Sequence, residues 1–189
     1  MEYRYSPTWL SFRDYLKAED ERDRCKFHEG AHVWYAERFG GTLTGCEFHP
    51  GGVSFVRFDR EFNDEQYARI GVAGLLGEAK GSVPIWSLCQ ELQTVNLEQL
   101  AGDIVNESRQ HVNDQDHGFP CIVPLACHRP STVTSTISVD DVRKIVAMDN
   151  AVTLLKDALV YVAKEMNDEL VWGQISVRST QLWNQYYQP

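Results

Sequence analysis

Cys25-Lys26-Phe27-His28-Glu29-Gly30-Ala31-His32-Val33-Trp34-Tyr35-Ala36-Glu37-Arg38-Phe39 is the stretch on which the reading of this chain turns. Phe27, Ala31, Trp34, Tyr35 and Phe39 recur at helical spacing, and Gly40-Gly41 follows as a left-handed cap would, so a helix is predicted over 25–39. Within it His28-Glu29-Gly30-Ala31-His32 is an H-E-x-x-H sequence. Side chains four apart share one helix face, so both imidazoles can grip one ion, and Glu29 lies about 100° around the helix beside it. Neutral imidazoles suit Zn²⁺, and a catalytic zinc takes three protein ligands so that water fills the fourth place. The expected roles are His28 and His32 as metal ligands and Glu29 as general base. An exposed helix with ordinary His and Glu is the bland reading. It fits poorly, because two unpaired imidazoles among Phe27, Trp34 and Tyr35 would be costly to bury.

Outward from this helix the pattern alternates strand and helix. Thr42 to Phe48 and Val53 to Phe58 flank His49-Pro50-Gly51-Gly52 as a β-hairpin around a Gly-containing loop. Ala68 to Lys80 is apolar on most sides with Gly71, Gly74 and Gly77 every third residue, which suits a buried helix that another backbone approaches closely. Leu97 to Val112 is amphipathic, and Asn113 to Ser138, rich in Pro, Ser, Thr and Asp, reads as a long surface loop. Val139 to Trp172 has helical spacing, as two helices or one broken near Asp149-Asn150. The aromatic cluster of Trp172, Trp183, Tyr186 and Tyr187 is either a partner surface or core closure by a terminal helix. Upstream, Ser6-Pro7-Thr8 reads as a helix start, and Lys17 to Arg24 as a solvated charged face.

With 189 residues, 43% of them hydrophobic, the chain supports one core and hardly two. Residues 1–24 are expected as an N-terminal helical extension packed on the body, and 25–189 as a single domain. The net charge of -9 argues against nucleic acid or an anionic membrane as partner. No apolar stretch approaches the roughly 20 residues that span a bilayer, and Met1-Glu2-Tyr3-Arg4 opens no signal-peptide core. Five cysteines (Cys25, Cys46, Cys89, Cys121, Cys127) form an odd, scattered set suited to free thiols, so a cytoplasmic location is expected.

Taken together these segments resemble the peptidase domain of the FtsH family of ATP-dependent zinc proteases. The motif is similar to that family's H-E-A-G-H with the two small residues exchanged, and Cys46 to Phe58 to the hairpin that follows it. Ala73-Gly74-Leu75-Leu76-Gly77-Glu78-Ala79 looks like its L-A-G-R-x-A-E helix, and Gly102-Asp103-Ile104 like the segment that brings an aspartate to the zinc. Ala151 to Ile175 is similar to its closing helices. The likeness covers about residues 25–176. It implies a mainly helical α+β, zincin-like fold, a Zn²⁺ cofactor and Asp103 as third ligand. Glu78 is the runner-up, as third ligand or as a group orienting a ligand imidazole.

Departures narrow what carries over. No G-x-x-x-x-G-K-S/T phosphate loop occurs, so the chain has no ATP site and does not unfold substrates itself. A polypeptide substrate or a partner protein is expected. Val53, Ser54 and Phe55 are candidate substrate-binding residues, since an edge strand beside a zincin site can pair with an extended backbone, or else they are an ordinary hairpin strand. Cys121, Cys127 and His128 have the wrong spacing for a C-x-x-C metal module, and His49, His111 and His117 read as polar surface residues. The two functional readings are therefore an ATP-independent zinc endopeptidase and a catalytically inactive, metal-binding interaction protein that keeps the fold.

Overall fold

The computed structural model describes residues 21–48, 55–82, 98, 101–102, 104–106 and 148–187. In chain order the elements are α1 (Glu21–Arg38), β1 (Leu43–Glu47), β2 (Phe55–Phe58), α2 (Asp64–Ser82), α3 (Ala151–Met166) and α4 (Glu169–Tyr186). This is a mainly helical α+β arrangement with one small sheet.

The helix expected over 25–39 is α1, and it starts earlier, inside the Lys17 to Arg24 charge run. The expected boundary after residue 24 thus falls within a helix. Its C-terminus is closed by backbone: Gly40 N–H donates to Glu37 O at 2.9 Å and Gly41 N–H to Ala36 O at 2.9 Å. That paired pattern needs a left-handed residue, and Gly40 takes φ 85°. The chain then turns into β1, which pairs antiparallel with β2, Cys46 opposite Val56 and Glu47 opposite Phe55, with an irregularity between Leu43 and Gly45. The hairpin loop 49–54, with Val53 and Ser54, lies outside the described residues.

α2 begins four residues before the expected Ala68, because Asn63 and Gln66 cap each other. Gln66 N–H donates to Asn63 Oδ1 at 2.9 Å and Asn63 N–H to Gln66 Oε1 at 3.1 Å. Such a reciprocal box satisfies two of the donors that every helix start leaves open. α2 packs between α1 and α3, while α4 lies on α1. Ala68, Ile70, Val72, Ala73, Leu75 and Leu76 are all buried, as a helix apolar on most sides requires, and Ala101, Ile104 and Val105 join the same core. The segment carrying them is tied to α3 by Lys156 and Glu98, 3.2 Å apart.

Residues 148–150 form a turn ahead of α3, and α3 ends at Met166 before Asn167-Asp168, where Asp168 caps α4 by accepting from Leu170 N–H at 2.8 Å. The C-terminal aromatic residues divide between two cores. Trp172 packs on the first, with its ring 5.5 Å from Phe27. Leu182, Trp183, Tyr186 and Tyr187 close a second core around Val33, Cys46, Phe48 and Val56. There Trp183 stacks on Tyr187 at 4.1 Å, and Tyr187 forms a parallel bridge to Phe48. Core closure is therefore the role of this cluster. Among the described residues no helix is long and apolar enough to cross a membrane.

Candidate metal centre

The i, i+4 spacing of α1 sets His28 and His32 on one face, and α2 crosses directly over that face. His28, Glu29 and His32 are 3%, 1% and 3% exposed, and Glu78 from α2 is 3% exposed, so four polar side chains are buried here. Each imidazole is fixed through its Nδ1. His28 Nδ1 lies 3.1 Å from Glu78 Oε2, and His32 Nδ1 donates to the Ile70 carbonyl at 2.6 Å. The rings meet edge to face, with the two Nε2 atoms 3.0 Å apart.

These contacts dictate the proton positions. A carbonyl oxygen only accepts, so His32 carries its proton on Nδ1 and presents an Nε2 lone pair. Burial, reinforced by nearby His28, lowers the His32 pKa to about 3, so this ring is neutral. A carboxylate at His28 Nδ1 likewise calls for a proton there. Two Nε2 lone pairs aimed at each other repel unless positive charge lies between them, either an extra proton on His28 or a cation that takes both. Two tetrahedral zinc ligands at about 2.0–2.1 Å stand roughly 3.3 Å apart, close to the observed separation.

A missing methyl lets α2 close onto the two rings. A Cβ built on Gly74 of α2 would sit 2.9 Å from His28 Nε2 and collide with His32 Cε1 and Nε2. The glycine therefore makes a cradle for the imidazoles themselves, with the α2 backbone packed against both rings where their nitrogens converge. On the other side of α1, α4 comes so close that a Cβ on Gly30 would lie 2.6 Å from the Ser179 backbone. This crossing accounts for glycine directly after Glu29, where the similar motif has alanine. Arg178 of α4 adds a bidentate pair with Glu37, with Nε donating to Oε2 at 2.9 Å. Cys46 of β1 completes the wall near Glu29, and burial followed by the Glu29 carboxylate pushes its thiol up, so it stays protonated.

The structure thus brings together His28, His32 and Glu78, the last in the position that orients an imidazole, and buries Glu29 beside them. Asp103 lies outside the described residues, as do Val53, Ser54, His49, His111, His117, Cys121, Cys127 and His128. Phe55 is in β2. Among the described residues no group of three or more His, Cys, Asp or Glu is arranged to hold a metal. Sequence reasoning did not find the Ile70 carbonyl, since every residue has one, nor the contact of Ser179 with Gly30. The Gly74 cradle was only partly signalled, by the glycine repeat of α2. Comparison with protein-family models, curated proteins and solved structures returns no match.

Proposed function

We propose that this chain is a zinc-dependent endopeptidase, similar in its site to the FtsH peptidase domain. The observation that carries this reading is the pair of Nε2 atoms 3.0 Å apart on an H-E-x-x-H helix, each ring with its Nδ1 already engaged. His28 and His32 would hold the ion through Nε2, and Asp103, by resemblance, would be the third ligand. A bound zinc supplies Lewis acidity toward the scissile carbonyl and lowers the pKa of the attacking water. Glu29 would serve as the general base, accepting a proton from water and delivering it to the leaving amine. Glu78 and the Ile70 carbonyl fix the ring orientation and tautomer and raise the basicity of the ligating nitrogens. The substrate is a flexible polypeptide, and the odd, scattered cysteine pattern of the sequence suits a reducing, cytoplasmic setting.

The burial of all four side chains favours a second reading, a metal-stabilised interaction protein without turnover. Metal analysis of untagged protein and cleavage of an unfolded polypeptide separate the two. Near-stoichiometric zinc is expected in wild type, retained in Glu29→Gln and lost in His32→Ala and Asp103→Ala. Glu29→Gln is expected to lower the cleavage rate by about 10²–10⁴-fold. Zinc-loaded wild type that cleaves no better than Glu29→Gln would leave the second reading standing. Wild type that takes up no zinc would remove the first.

A further inference from the structure

Beyond Glu169 at its first position, the outer face of α4 lacks charge in a chain that is 24% charged with a net charge of -9. From Leu170 to Tyr187 the single charged residue is Arg178, and it is paired inward with Glu37. The exposed positions are Leu170, Gly173, Gln174, Val177, Thr180, Gln181, Asn184 and Gln185. They fall on one stripe of the helix at alternating three- and four-residue steps, opposite the buried Ile175, Ser179 and Leu182. Leu170 is 80% and Val177 58% exposed, two of the three large hydrophobics exposed among the described residues. Gly173 has open space where its Cβ would be, so a second backbone can approach there.

We propose that this stripe is the interface of a homodimer, formed by α4 of one protomer packing on α4 of its partner. The choice of a second copy follows from the chemistry of the face. A two-fold interface sets like residues against like near its axis, so it must be self-complementary. Charges fail that condition, whereas aliphatic side chains and amides meet it, because Gln and Asn both donate and accept. A strongly acidic chain also repels its own copy wherever acidic faces meet, and this stripe is where that repulsion is least. A basic partner would instead call for acidic residues on the face, and none is present from 170 to 187. The proposal stands apart from the peptidase reading, since the inner face of α4 alone touches the motif helix.

Sedimentation equilibrium of the full chain tests it. Wild type is expected to approach twice the 21.6 kDa chain mass as the loading concentration rises. Added salt should tighten the dimer, because it screens the repulsion between acidic protomers while the interface itself is uncharged. Val177→Arg should be monomeric at every loading concentration, with the circular dichroism and thermal midpoint of wild type. Wild type that remains at 21.6 kDa across the concentration series overturns the proposal. So does a Val177→Arg protein that dimerises as wild type does, or a dimer that loosens as salt is added.

Discussion

A methyl group added at Gly74 would collide with the His32 ring and press on His28 Nε2, displacing the pair. Gly74→Ala should therefore lose its zinc while staying helical, at an overpacking cost of about 1–3 kcal/mol, as read by metal analysis and circular dichroism. Full zinc occupancy in that variant would remove the cradle from the argument. Two other buried residues set an alkaline limit. Burial, followed by the Glu165 carboxylate, pushes the Tyr35 phenol up, and burial pushes the Cys46 thiol up, from ordinary values of 10.0 and 9.0. Above pH 9 the unfolded chain releases these protons while the folded chain retains them, so the unfolded state binds fewer protons and stability falls as pH rises. Thermal midpoints should decline from near pH 9 upward, and less steeply in Tyr35→Phe with Cys46→Ala. An unchanged slope in the double variant would assign the limb to other groups. At this scale His28, Glu29 and His32 were legible because their relation is local, one turn of one helix. Glu78 was legible only as a candidate, since its contact with His28 spans fifty positions of chain.

Among the elements, α1 is held from both sides at positions without a side chain, by α2 at Gly74 and by α4 at Gly30. Gly30→Ala decides how much the second crossing matters. Helix propensity alone would stabilise the variant by about 1 kcal/mol, whereas a Cβ 2.6 Å from the Ser179 backbone forces α4 outward. We expect the clash to win and the thermal midpoint to fall, with the Arg178–Glu37 pair strained as well. A midpoint that rises would mean α4 yields at little cost. The sequence announced α1 and its Gly40 cap plainly, and the hairpin strands too, because these depend on periodicity and turn chemistry. It understated α2. The Asn63 to Gln66 box stands ahead of the first apolar run, in a polar stretch, and only the two reciprocal hydrogen bonds show that the helix starts there. The break at Asn167-Asp168 was missed for a related reason: the apolar period carries on across it from Met166 to Leu170.

For the whole molecule, the two cores decide what metal removal does. The larger joins α1, α2, α3 and Ile175 of α4 through buried aliphatic and aromatic side chains, and the smaller joins α1, the sheet and the end of α4. Both are apolar and neither depends on an ion. A chelator should accordingly lower the thermal midpoint and end activity while far-UV circular dichroism stays native. Unfolding on chelation would instead mark the ion as structural. What the sequence by itself determined was the local chemistry: a motif helix, its cap, a hairpin, an apolar central helix and the residue types suited to zinc. Only the tertiary structure decided which partners fix the two imidazoles, that α2 closes over them at Gly74, that the terminal aromatics close a core, and that α4 beyond Glu169 turns an uncharged face outward. The reason is physical. Periodicity and capping act within a few residues, whereas a carbonyl, a missing methyl or an outward face acquires meaning only when distant segments are packed against each other.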